Sequence, residues 1–181
     1  MGYIYVLLYL AAIVTANILS AKFAPVAIGP FLISLGTFTI AATFVLRDLV
    51  QNRFGRTKVY IAIAVALGLS MLSSHLLGDT YAIVIASGAS FLVSESTDTE
   101  IYTRLKASLA KRVFWSGLAG GILDSSVFVI LGLSPLGAGF IPWAAVPMAV
   151  IGQIIFKTIL QGIGAAVIGY SHKKRDVCVG V

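Results

Sequence analysis

The sequence predicts an all-α membrane protein with six transmembrane helices and both termini cytoplasmic. Three observations predict it: an apolar excess, six long apolar runs, and basic residues gathered in alternate connections. Of the 181 residues, 59% are hydrophobic and 11% charged, with mean hydropathy +0.99. Soluble domains carry roughly 25% charged residues. A water-soluble fold of this size has too much wet surface to hide so many apolar groups. The chain therefore reads as a single six-helix transmembrane domain over residues 1–171, with a short basic cytoplasmic tail over 172–181.

A bilayer-crossing helix needs about 20 predominantly apolar residues. The runs that approach this length are Tyr3–Ala21, Pro30–Leu46, Val59–Leu77, Tyr81–Val93 with a polar continuation to about Tyr102, Phe114–Leu133, and Trp143–Tyr170. The first has no basic flank before it and is longer than a typical signal-peptide core, so it reads as a retained helix. Pro147, inside the sixth run, is a candidate kink near its outer end. The glycines at 117, 120, 121, 152, 162 and 164 read as sites of close helix packing.

The basic residues set the direction. Arg47, Arg53, Arg56 and Lys58 follow the second run, Arg104, Lys106, Lys111 and Arg112 follow the fourth, and Lys173, Lys174 and Arg175 follow the sixth. On the other side stands Lys22, between the first two runs, and Lys157 lies within the sixth. Cytoplasmic loops carry the excess of Lys and Arg, which puts both ends inside and the chain in the inner (cytoplasmic) membrane as a multi-pass protein. The net charge of +6 is thus a property of the inner loops and not the signature of a nucleic-acid partner. The connections on the outer side are rich in Gly and Pro, and the one from Ser134 to Pro142 reads as a bent loop.

Lys157 is the most informative residue. It lies mid-run with no other charge between Trp143 and Tyr170, and Asp124 is likewise alone between Phe114 and Leu133. A charge at the bilayer centre costs at least ~2.5–3.5 kcal/mol on insertion scales, so each needs a partner, a cavity or a function. At 1.5 Å per residue, Asp124 lies about 18 Å and Lys157 about 21 Å from the cytoplasmic helix ends, so the two can face each other. Gln153 shares the Lys157 helix face, and Asn17 lies about 21 Å into the first run by the same rise. Glu95 falls in the inner half of the fourth. These five, Asn17, Glu95, Asp124, Gln153 and Lys157, form a candidate substrate-binding constellation. A purely structural alternative is an ion pair locking two helices, with Asn17 and Gln153 as interhelical hydrogen-bonding groups.

Arg47, Asp48, Asp98 and Arg104 are expected nearer the cytoplasmic surface, as a gate or inner rim. For Arg47-Asp48 the sequence leaves an interfacial anchor and a gate latch equally open. Asp98, Glu100 and Arg104 read as a solvated rim. Enzymatic signatures do not emerge: there is no Walker loop, no dinucleotide glycine fingerprint and no metal-spaced His/Glu cluster. The single Cys178 allows neither an internal disulfide nor a zinc cluster. No cofactor, metal or catalytic residue is expected.

The segment Asn17-Ile-Leu-Ser-Ala-Lys22, the stretch from Asp48-Leu49 to Phe54-Gly55, Asp98 to Arg104, Gly121-Ile-Leu-Asp124-Ser125 with Phe128, and Gln153 with Lys157 together resemble the putative vitamin uptake transporter (VUT) family. The likeness runs from about Ala11 to Ala165, with Asn52 where some longer members have an acidic residue. Characterised bacterial members import queuosine precursors, chiefly 7-cyano-7-deazaguanine. The resemblance implies a nucleobase-like substrate and transport without an ATPase of the chain's own, either facilitated or coupled to protons. It also implies that Glu95 or Asp124 takes the guanidine-like edge, Gln153 and Asn17 orient the ring, and Lys157 balances charge, with Phe128 and Phe156 as stacking surfaces. Besides this substrate, the expected partner is the lipid bilayer, and a homo-oligomer is left open. The alternative is a substrate-binding subunit of an energy-coupling-factor vitamin transporter, for which Ala12 and Ala16 offer a small-residue docking stripe.

The orientation is directly testable. Reporter fusions after Lys58, Lys111 and Val181 are expected to read as cytoplasmic, and fusions near Asp79 and Gly137 as external. An external signal at Val181 would reverse the assignment.

Overall fold

The computed structural model describes residues 3–23, 26–29, 31–33 and 35–179, with side chains as far as Tyr170 except those of Ala21, Ala27 and Leu32. Six α-helices build it: α1 Tyr3–Lys22, α2 Leu35–Phe54, α3 Arg56–Leu76, α4 Tyr81–Arg104, α5 Leu109–Phe128 and α6 Val146–Val179. A short antiparallel hairpin, β1 Val26–Ile28 with β2 Phe31–Ile33, joins α1 to α2. The side chains of Lys173, Lys174, Arg175 and Cys178 lie outside the described residues, although the α6 backbone continues through them.

Four helical segments are long and apolar enough to cross a bilayer: Tyr3–Ser20, Arg56–Leu76, Leu109–Leu133 and Trp143–Tyr170. The two helices outside that set, α2 and α4, carry four of the six buried charges among the described residues, Arg47, Asp48, Glu95 and Asp98. They have 20 and 24 residues, so each reaches about 30 Å or more at 1.5 Å per residue. Packing explains how they tolerate charge. α2 touches all five other helices, and α4 packs against α2, α3, α5 and the turn that extends α5. The outward surface belongs instead to aliphatic residues such as Leu7, Ile61, Ile85, Ile159 and Val167, all exposed.

Two boundaries differ from the expectation. The second run was expected to be helical from Pro30 to Leu46. Pro30 itself lies outside the described residues, and Phe31–Ile33 is a strand instead, following a tight turn whose Gly29 has φ +59°, a conformation natural to glycine. The helix then continues through Arg47 and Asp48 to Phe54, because both charges are buried and partnered rather than released to solvent. Pro147 does not kink α6. That helix begins at Val146, so Pro147 occupies its first turn, where a missing N–H breaks no hydrogen bond.

The C-terminal end of α5 passes into a π-helical turn, Val129–Leu133, closed by Ser134 N–H donating to Val129 O at 3.0 Å. The following loop folds back on that turn: Ala138 N–H reaches Gly132 O at 2.9 Å and Ile141 N–H reaches Leu133 O at 3.1 Å. At the opposite end, Tyr3 meets Phe54, Arg56 pairs with Glu100, and Arg112 caps the Tyr102 ring at 4.0 Å. This end therefore collects the chain start and the α2–α3 and α4–α5 junctions, with their basic residues.

Close packing depends on glycine at defined places. A Cβ on Gly36 would run into Ser20 and the carbonyl of Ala16, where α1 lies against α2. One on Gly117 would enter the Gln161 carboxamide, and one on Gly120 would stand 3.1 Å from Asp98 Cβ and 3.2 Å from Phe44. Gly68, by contrast, meets nothing within 4 Å. Gly36→Val is therefore expected to destabilise the folded protein by about 1–3 kcal/mol through overpacking, while Gly68→Val stays near wild type. Thermal unfolding in detergent checks the pair; equal melting temperatures would remove the close-approach role of Gly36.

Candidate functional site

The interior holds two charged centres. In the first, the Arg47 guanidinium from α2 is fully buried and faces three carboxylates, Asp48, Glu95 and Asp98. Helical spacing assembles it: Arg47 and Asp48 are adjacent on α2, while Glu95, Asp98 and Thr99 stand at i, i+3 and i+4 on one face of α4. Arg47 Nη2 lies 2.8 Å from Asp48 Oδ1 and also pairs with Asp98; Nε lies 3.4 Å from Glu95 Oε2. Nη1 donates to Thr99 Oγ1 at 2.8 Å and to the Glu95 carbonyl at 3.1 Å. From α5, Ser116 Oγ donates to Asp48 Oδ2 at 3.4 Å.

In the second centre, Lys157 Nζ of α6 lies 2.5 Å from Asp124 Oδ2 and donates to Ser125 Oγ at 3.0 Å. The buried face of α5 is built largely of small residues near this pair, including Gly117, Gly120 and Gly121. A Cβ at Gly121 would be 3.7 Å from Lys157 Cβ, so the Lys157 stem lies along a glycine surface. Gln153, one turn from Lys157, is buried, yet its carboxamide makes no hydrogen bond among the described residues.

The expected residues are only partly gathered. Asn17 donates to Ser70 O at 3.0 Å, Ser70 Oγ at 3.2 Å and Ser73 Oγ at 2.7 Å, which ties α1 to α3. None of its hydrogen bonds joins it to Glu95, Asp124, Gln153 or Lys157. Phe156 meets Phe38 edge-on with ring centroids 6.2 Å apart. Asp98 is corrected: it is fully buried against Arg47 and is not a solvated rim residue. Arg47 and Asp48 are likewise fully buried. Arg104 stays at the surface with an 80% exposed side chain, 3.1 Å from Glu100 Oε2. Such an exposed pair contributes at most about 1 kcal/mol.

The charges do not balance. Among the described residues, Asp48, Glu95, Asp98 and Asp124 are four buried carboxylates, while Arg47 and Lys157 are two buried cations. Several acceptors are left over: Glu95 Oε2 and Asp98 Oδ1 are buried without a hydrogen-bond donor. The hydroxyl of Tyr9, also buried, faces Glu95 from α1. Sequence reasoning missed Thr99, Ser116 and Tyr9 here. The i, i+3, i+4 spacing of Glu95, Asp98 and Thr99 was the available signal.

A hollow of about 260 Å³ opens at the basic end, bordered by Gln51, Asn52, Gly55, Tyr102 and Arg112. Gln51 stands between it and the first centre, one turn beyond Arg47 on α2. Its Nε2 donates to Thr103 Oγ1 at 2.8 Å, and its Oε1 is buried without a donor.

Residues 73–170, more than half of the 181-residue chain, match the family described as Putative vitamin uptake transporter. The chain belongs to that family of uptake transporters, and its apolar helices make it a membrane protein. The matched segment contains α4, α5 and the spanning part of α6, and so both partners of the Asp124–Lys157 pair with Glu95 and Asp98. No curated protein and no solved structure matches the chain.

Removing one partner of a buried pair strands the other charge, at about 3–5 kcal/mol, whereas replacing both with apolar groups is often neutral. Lys157→Met and Asp124→Leu alone are each expected to lower thermal stability in detergent strongly. The double variant is expected to return close to wild type. Single variants as stable as wild type would show that the pair is not buried in the membrane-embedded protein.

Proposed function

We propose that this chain imports a queuosine precursor, 7-cyano-7-deazaguanine or a related 7-deazaguanine, through its central polar site and without an ATPase of its own. The observation that carries the reading is the surplus of buried carboxylate oxygens, above all Glu95 Oε2 and Asp98 Oδ1. A deazaguanine presents a ring N–H beside an exocyclic amino group, and one carboxylate accepts both. Its ring oxygen needs a donor, which the hydrogen-bond-free Gln153 carboxamide or Lys157 supplies. In this reading Glu95 or Asp124 takes the donor edge, Gln153 orients the ring, and Lys157 balances the charge of Asp124.

The chemistry also sets selectivity. An adenine-type edge puts an acceptor where guanine has its N–H, so it would leave the carboxylate facing a lone pair. Sites that read a hydrogen-bonding edge reject the analogue lacking it by about 10⁴–10⁵. The family match supports uptake as the activity, and the four apolar helices supply the membrane setting.

Cells that neither make the precursor nor import it are expected to regain queuosine in tRNA when given 7-cyano-7-deazaguanine and this gene. Adenine-type analogues should not compete for that uptake. The Lys157→Met/Asp124→Leu double variant is expected to reach the membrane folded and yet import nothing. Membrane expression with no queuosine at any supplied concentration would reject the substrate, and full uptake by the double variant would reduce the pair to scaffolding.

A further inference from the structure

Arg47 fills the place that a guanidine-like donor edge would need. Its guanidinium is a planar array of N–H donors, and it points that array at Glu95 and Asp98. The edge of a deazaguanine is the same kind of array, with two parallel donors in one plane. Ligand and Arg47 therefore compete for the same two carboxylates, which stand one turn apart on α4.

Arg47 also has somewhere to remain when it yields them. Asp48 Oδ1, on its own helix, lies 2.8 Å from Nη2, and Ser116 Oγ holds the other Asp48 oxygen at 3.4 Å. Retreat onto Asp48 keeps the cation paired. A guanidinium that served only to neutralise the interior would be matched by its partners. This one faces three carboxylates, yet Glu95 Oε2 and Asp98 Oδ1 accept no hydrogen bond, with the Tyr9 hydroxyl beside Glu95. Such unfilled acceptors are costly in a low-dielectric interior, and an incoming donor edge relieves them.

We propose that Arg47 is a tethered competitor of the substrate: the ligand's donor edge displaces its guanidinium from Glu95 and Asp98, and the return of Arg47 expels the ligand. This rests on the import reading above and deepens it by naming a residue that sets affinity and release. The observed contacts of Arg47 with Glu95 and Asp98 are then the ones the ligand has to replace. Removing a competitor raises apparent affinity by the inverse of the fraction of molecules in which the site is free. It also removes the force for release, so binding and turnover should change in opposite directions.

The test uses the purified full chain in detergent, titrated with 7-cyano-7-deazaguanine by calorimetry, alongside import in cells. Arg47→Met keeps an apolar stem and removes the donors. It is expected to bind at least about tenfold more tightly than wild type and to import more slowly. Thr99→Val removes one anchor of Arg47, the 2.8 Å hydrogen bond, with little change of volume. It is expected to bind about threefold more tightly, by weakening the competitor and not deleting it. Unchanged or weaker binding by folded Arg47→Met overturns the proposal, and where that variant does not fold, the same result for Thr99→Val does so.

A second probe separates this inference from the identity of the substrate. Guanidinium ion at millimolar concentration should raise the melting temperature of Arg47→Met, or of Thr99→Val if the first does not fold, and leave wild type unmoved. If wild type neither binds nor imports 7-cyano-7-deazaguanine, the substrate reading fails while this selective stabilisation still supports the exchange. No selective stabilisation in that case overturns the exchange as well.

Discussion

A fully buried guanidinium facing three carboxylates is the constraint around which this bundle is organised. Arg47 cannot be solvated where it lies, so α4 must present Glu95, Asp98 and Thr99 to it, and α2 must bring Asp48 alongside. That requirement explains why the two least apolar helices are the most enclosed ones. It also explains the glycines of α5. Gly120 lies against Asp98 and Phe44, so a larger residue there would push α5 away from the charged centre. The four apolar helices then complete the enclosure and present aliphatic surface outward.

The two centres differ in character although both pair an acid with a base. Lys157 and Asp124 form a one-to-one pair with Ser125 assisting, and the local charge is balanced. The Arg47 centre has three acids to one base, and in the proposed reading its unfilled oxygens take the incoming donor edge. A transport site benefits from such an imbalance. Perfectly satisfied polar groups gain nothing from a ligand, whereas under-satisfied ones bind it by repairing their own deficit. The family match supports uptake as the activity, and in the proposed reading this centre is where the substrate's donor edge binds.

The sequence made the isolated charges legible and the clustered ones less so. Lys157 and Asp124 each interrupt an apolar run alone, so a depth estimate along two helices suffices to bring them level. Arg47-Asp48 instead stands where hydropathy falls, and a falling profile reads as a helix leaving the membrane. What keeps those residues inside is a set of carboxylates about 50 positions further along the chain, seen in the Arg47 bond to Thr99 at a separation of 52 residues. A one-dimensional profile does not register such a partnership. Asn17 shows the converse: its depth matched the other polar groups, but its rotation about α1 turned it toward the serines of α3. Phe31–Ile33 was apolar enough to pass for helix, and only the turn at Gly29 marks it as part of a hairpin.

The unequal packing among helices has a mechanical meaning. α4 with α5 and α1 with α2 are the most extensively packed neighbours, with Gly36 letting the second pair touch nearly backbone to backbone. The backbones of α2 and α4 approach each other closely at few points, and the long Arg47 side chain bridges them. The two pairs are also joined through α3 and α6 and by Phe44 of α2 against Gly120 of α5, so the Arg47 cluster is an ionic fastener set within an apolar seam. Hydrocarbon packing resists sliding and separation alike, through many small attractions that yield one by one. A single multivalent ion cluster lets go all at once, over a short displacement. Any motion that parts α2 from α4 at this point has therefore to break the Arg47 cluster as a unit.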